Sequence, residues 1–332
     1  MIPNWAWADN LRALAIFGVV IIHAAAPCLY QFDNVNNFDW QAANALDSAF
    51  RFCVPVFLML TGALVLSKDY PLKDFLRKKF IRIILPFVFW STIYIAYKIG
   101  TGDGQDSLRW IIKQFVSGSE FHLWYVYTLI GIYLFLPLIG KWIRNSSENE
   151  ILLYLSLWLL TFALRMPAVA EFFPKVDLTY FTGYLGYVIL GYYLSRKTWG
   201  NAATIAITCV VSGIAITFAG TWLMSMRAGQ FSGIFYQYLT PNVVLLSGGI
   251  FVLVKYFSGE KTSPAVTFIS RYSYGIYLVH VLVLDVLQKS GIDWQLLTPI
   301  AGILITAVLC LPITLGLVWL LSKLPYGKYI SG

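Results

Sequence analysis

The stretch DNLRALAIFGVVIIHAAAPCLY, residues 9–30, sets one acid, one arginine and one histidine in an otherwise apolar run. From Leu11 to Tyr30 it has the ~20 residues that a helix needs to cross ~30 Å of hydrocarbon. It therefore predicts a membrane helix. The run spans rather than resembling a cleavable leader, and no small-residue cleavage site ends it, so this helix is expected to stay in the mature protein.

Working outward, similar runs of about 17 to 24 residues fall at 46–66, 80–100, 121–140, 178–194, 202–223, 234–257, 266–288 and 298–321, with a shorter one at 150–166 that ends on Arg165. Together they predict an all-α fold, a polytopic membrane bundle of about ten transmembrane helices. Composition agrees, since 58% of the 332 residues are hydrophobic and only 12% charged, too few to cover a water-soluble surface. Twelve Trp, 21 Tyr and 23 Phe suit the many membrane–water boundaries of such a chain.

The net charge of +8 fits the same picture and does not call for nucleic acid. With both termini placed in the cytoplasm, inner ends and loops hold 16 of the 24 Lys and Arg, including Lys68, Lys73, Arg77 and Lys78, and outer ones hold 8. That bias supports both termini inside and an even number of helices. No repeat or long polar tract appears, so residues 1–332 are expected to form a single membrane domain. The outer segment 101–120 begins with turn residues and then spaces Leu108, Ile111, Ile112 and Phe115 as a helix lying on the membrane surface would. Cys28, Cys53, Cys209 and Cys310 lack any CxxC spacing and read as small apolar residues, with a Cys28–Cys53 pair near the outer face as the alternative.

Ionisable side chains at membrane depth are costly enough to suggest function by default. His23 follows Arg12 by eleven residues, which puts both on one helix face roughly 16 Å apart. Arg12 is expected near the helix N-terminus, where the dipole disfavours a cation. Asp9, as N-cap, or a ligand phosphate can supply the missing anion. Lys79 and Arg82 lie three apart at the expected start of the third helix, an arrangement that suits a phosphate or an ordinary basic loop facing anionic lipid.

His122, in Phe121-His122-Leu123-Trp124, is expected at the outer end of its helix, either reaching an outward-open cavity or anchoring at the interface. Ser273, Tyr277 and His280 share a face that lines a polar interior or joins helices by hydrogen bonds. No GxGxxG, Walker A, GxSxG, HExxH or cysteine metal cluster is present. Hydride transfer, nucleotide hydrolysis and serine hydrolysis lose support, and no metal is expected. A glycan or anion transporter using His and Arg as a proton relay stays open as an alternative, although paired halves with interrupted helices are missing.

Asp9-Asn10-Leu11-Arg12 with His23 eleven residues beyond the arginine resembles the first-helix signature of the acyltransferase family 3 membrane proteins. Val54-Pro55-Val56-Phe57-Leu58-Met59-Leu60-Thr61-Gly62 is similar to the family's second-helix pattern. Lys79-Phe80-Ile81-Arg82-Ile83 before Pro86 is similar to its basic pair, with Lys where the family usually has a first Arg. His122-Leu123-Trp124 and Ser273-Tyr274-Gly275-Ile276-Tyr277-Leu278-Val279-His280 resemble its later signatures, so the likeness runs through nearly the whole chain. Within the family, the chain is most similar to single-domain bacterial O-acetyltransferases.

This resemblance implies transfer of an acyl group, usually acetyl, from cytoplasmic acyl-CoA to a hydroxyl of a lipid-linked or extracytoplasmic glycan. It further implies a multi-pass protein of the bacterial cytoplasmic (inner) membrane, in contact with lipid. Acetyl-CoA is then a donor substrate, its phosphates held by Arg12, Lys79 and Arg82, with Lys79 lacking the planar fork of Arg. His23 is the expected general base, with His122 as second catalytic candidate and an acyl-histidine as the other chemical route. Trp124, Tyr277 and His280 are the expected substrate-binding residues, and exposed apolar helix faces leave room for a second copy of the chain.

Overall fold

The computed structural model describes residues 5–164 and 177–332, and the regular elements among them are all helical. They are α1 (Ala6–Leu29), α2 (Asn37–Phe50), α3 (Cys53–Val65), α4 (Leu72–Thr101), α5 (Leu108–Ser117), α6 (Trp124–Asn145), α7 (Glu148–Ala163), α8 (Leu185–Arg196), α9 (Ala202–Ala228), α10 (Pro241–Phe257), α11 (Pro264–Lys289) and α12 (Pro299–Lys323), joined in places by single 3₁₀ turns.

Eight stretches among the described residues are long and apolar enough to cross a membrane: α1, α2 with α3, α4, α6, α9, α10, α11 and α12. The protein is a multi-pass membrane bundle. The two other expected spans, 150–166 and 178–194, appear as the shorter helices α7 and α8, and Arg165 and Met166 lie outside the described residues.

Because nearly every helix is apolar all round, periodicity cannot show which face meets protein and which meets lipid. Burial does. In α1, 61% of the most apolar window is buried inside the protein, against 22% in α9. α1 is a central helix, packed on α2, α3, α11 and α12. Helix α8 meets α3 backbone to backbone, since a Cβ on Gly62 would stand 1.7 Å from the Val188 carbonyl oxygen and one on Gly191 2.1 Å from that of Met59. Close approach through glycine is how helices pack where lipid offers no hydrophobic drive.

Two helix starts beside the cleft differ from the sequence expectation. α1 begins at Ala6 behind Trp5, which makes no side-chain cap bond, so Asp9 is not the N-cap but a residue of the first turn. α4 begins at Leu72 rather than 80, which moves Lys79 and Arg82 two turns inward, away from the free N–H groups of the helix start. Arg12 likewise sits beyond the first turn, where the dipole fades.

The expected helix 46–66 is two elements with a turn at Arg51 and Phe52. α2 extends back to Asn37, capped by Asn36, which accepts from the Asp39 N–H at 2.9 Å. A search for apolar runs passes over it because the face it buries includes Asn44, Asp47 and Ser48. The surface segment does form a helix, α5, opened by a Ser107 cap and carrying Leu108 and Ile112 exposed. All four cysteines are free thiols, so Cys28 and Cys53 are not paired.

Candidate active site

α1, α3, α4, α6 and α11 enclose a cleft of about 390 Å³ at the end of the bundle where α1, α4 and α11 begin. Four cations line it, Arg12, Lys79, Arg82 and Arg271, and no carboxylate does. Arg12 is anchored: its Nη1 donates to Ser270 Oγ at 2.9 Å and lies 3.3 Å from Asp9 Oδ1, while the Ser270 hydroxyl donates to the same carboxylate at 2.5 Å. Asp9 therefore holds Arg12 from within α1, and Ser270 ties both to α11. Lys79 Nζ lies 5.3 Å from the Tyr133 ring centroid and 5.9 Å from that of Phe75. Among the described residues neither Lys79 nor Arg82 has a carboxylate partner.

The cleft ends on Tyr125 and Tyr277, whose rings meet edge to face at 5.5 Å. Tyr274 stacks on Tyr277 at 6.4 Å and donates its own hydroxyl to the Ile83 carbonyl at 2.9 Å, fixing α11 to α4. The Tyr277 hydroxyl points the other way and donates to the His122 carbonyl. This residue thus joins the cleft to what lies behind it.

Behind it the fold brings together all three histidines of the chain. Ring centroids are 5.1 Å apart for His23 and His280, 5.1 Å for His122 and His280, and 6.4 Å for His23 and His122. His280 donates Nδ1–H to the Tyr277 carbonyl at 2.7 Å, which leaves Nε2 as a lone pair, buried and unpartnered. Both ring nitrogens of His122 are buried without a well-formed hydrogen bond. His23 is the most accessible of the three, half-buried where His122 and His280 are buried. An imidazole with access, backed by a second with a free lone pair, can take a proton from an entering hydroxyl.

The turn Phe121–Leu123 sets this geometry. Glu120, paired with Lys98 at 2.8 Å, accepts from the Phe121 N–H and starts the turn. His122 and Leu123 then point inward, while Phe121 and Trp124 stay exposed. His122 is thus neither an interfacial anchor nor open to the outside. Trp124 stacks on Tyr238 at 5.9 Å and 25°, with Tyr184 at 5.5 Å.

Arg12, Lys79, Arg82 and Tyr277 thus share one cleft, and His23, His122 and His280 share one cluster at its far side. The sequence reading did not single out Ser270, Tyr125 and Tyr133, nor the buried pair Asp47 and Arg51 on α2 and its C-terminal turn. That last pair had a signal, two opposite charges four apart beside an apolar run.

The family described as an acyltransferase domain matches residues 5–322. Among curated proteins, YfiQ of Bacillus subtilis (strain 168), a candidate membrane-bound acyltransferase, is 22% identical over 340 residues, covering 97% of this chain and 92% of that protein. No solved structure matches the chain.

Proposed function

The chain belongs to the acyltransferase 3 family, and from that premise we propose that it moves an acetyl group from cytoplasmic acetyl-CoA to a hydroxyl of a lipid-linked or extracytoplasmic glycan. The observation that carries this reading is the cleft itself, lined by four cations and no carboxylate, whose floor is the other face of the histidine cluster. Such a lining attracts a polyanion such as the phosphates of coenzyme A. The basic end of the bundle faces the cytoplasm, in keeping with the Lys and Arg bias.

With phosphates on Arg12, Lys79 and Arg82, the pantetheine arm runs along the α1 face toward His23, roughly 16 Å away by helix rise. The acceptor comes from the opposite end of the bundle. Its hydroxyl oxygen attacks the thioester carbonyl, the C–O bond forms and the C–S bond breaks. His23 takes the hydroxyl proton and returns it to the departing thiolate. His280, whose Nδ1–H is committed to the Tyr277 carbonyl, supports His23 from behind, and the buried surroundings keep water from competing for the acetyl group.

The test combines two measurements. Calorimetry on purified protein in lipid nanodiscs is expected to show acetyl-CoA binding that weakens as salt rises. Mass spectrometry of surface glycans and glycolipids from cells with and without the gene is expected to show the mass of an acetyl group lost with the gene. A protein that does not bind acetyl-CoA, in cells whose glycans are unchanged by its removal, contradicts the reading and returns transport to the front.

A further inference from the structure

One buried ion pair takes no part in the mechanism above. Asp47, wholly buried, accepts from Arg51 through both carboxylate oxygens, one from Nε and the other from Nη2 at 2.7 Å. The guanidinium lies 4.1 Å from the Tyr236 ring centroid and 5.9 Å from that of Tyr238. Tyr236 is itself fixed, because its hydroxyl donates to Asn44 Oδ1 at 2.6 Å, and Asn44 Nδ2 donates to the Phe218 carbonyl at 3.1 Å. Helix α2, the loop before α10 and α9 therefore hold one guanidinium rigidly.

That is more fixing than packing requires, because a buried pair costs desolvation that apolar residues would avoid. Its free edge has a use. Nη1 of Arg51 donates to no described residue, and the side chain is not sealed, keeping 16% of its surface exposed. The surroundings are those of a sugar site. Arg51 lies over the Tyr238 ring, which also stacks on exposed Trp124, itself next to Tyr184. Trp124 is two residues from His122.

We propose that Arg51 is a specificity-determining residue of the acceptor site, where a neutral pyranose ring lies against the exposed indole of Trp124 and Arg51 Nη1 donates to one of its oxygens. The ring is neutral because Asp47 already balances the arginine, leaving aromatic faces and one directed donor but no net charge to recruit an anion. Asp47 acts through Arg51 and is a positioning residue. This inference rests on the acetyl-transfer reading of the same site.

The test uses full-length protein in its membrane. Arg51→Met alone would leave Asp47 as a buried unpaired charge, so the decisive variant is the double Asp47→Asn/Arg51→Met, with Arg51→Lys beside it. Acetyl-CoA binding is measured on each purified protein, and the O-acetyl content of cell glycans on each expressing strain, with fragmentation locating the acetylated sugar. The double variant is expected to bind acetyl-CoA within about twofold of the parent and to lose about tenfold or more of the product, as a site does when its directed donor is removed. Arg51→Lys should fall between, and the acetyl group should sit on an uncharged sugar. Full product from the double variant, parallel loss of donor binding, or acetylation of an acidic sugar would each overturn the proposal. A parent protein that neither binds acetyl-CoA nor acetylates glycans is a different result, and it removes the acyltransfer reading together with this one.

Discussion

The two ends of the site hold their charges in opposite ways. At the basic end Lys79, Arg82 and Arg271 line a cleft without any carboxylate, and only Arg12 is tied down, by Asp9 and Ser270. At the histidine end the nearby cations are paired, Arg51 with Asp47 and Lys98 with Glu120, and imidazole and aromatic rings fill the space between. Unpaired cations are affordable where water and headgroups reach them, and deeper in the bilayer they must be paired. On the proposed mechanism one end captures an anion and the other excludes water and moves a proton. Helix α1 carries a residue of each, Arg12 and His23, on one face.

This division can be broken most sharply at His23. His23→Ala is expected to lower acetyl transfer by about 10²–10⁴-fold, the range of a lost general base, with acetyl-CoA binding by calorimetry unchanged. At the other end, Arg82→Ala should do the converse. It should weaken donor binding about tenfold or more, as befits a lost hydrogen bond to a charged group, and flatten the salt dependence of binding.

Smaller effects sharpen the same contrast. Lys79→Arg restores a planar fork that grips phosphate oxygens in pairs, so donor binding is expected to tighten by a few-fold at constant turnover. Tyr277→Phe removes the hydroxyl bond to the His122 carbonyl, worth about 0.5–1.5 kcal/mol. Transfer should fall by only a few-fold and donor binding stay level, in a kinetic assay that separates kcat from KM.

The basic end was the more legible in sequence, because positive charge at the edges of apolar runs and a helical spacing of eleven are local signals. The histidine end was legible only as three separate imidazoles. Bringing His23, His122 and His280 within 5.1 to 6.4 Å takes α1, the turn before α6 and α11, and no local pattern encodes that meeting.

Helix starts slipped for a related reason. Ala6 and Leu72 begin helices with no side-chain cap bond to announce them. α2 hid because its buried face carries the polar residues Asn44, Asp47 and Ser48, and Asn44 finds Tyr236 and Phe218 far along the chain. The floor made by Tyr125 and Tyr277 was likewise out of reach, since it depends on how α6 meets α11.

On the proposed mechanism donor capture and proton transfer take place on opposite sides of the Tyr125–Tyr277 floor. This separation is tested most directly by measuring acetyl-CoA affinity and acetyl transfer on the same nanodisc preparations of the parent protein, Arg82→Ala and His23→Ala. His23→Ala is expected to bind as the parent does and transfer almost nothing, and Arg82→Ala to bind weakly yet regain transfer at high donor concentration. Full transfer by His23→Ala, or loss of donor binding in both variants alike, would contradict it.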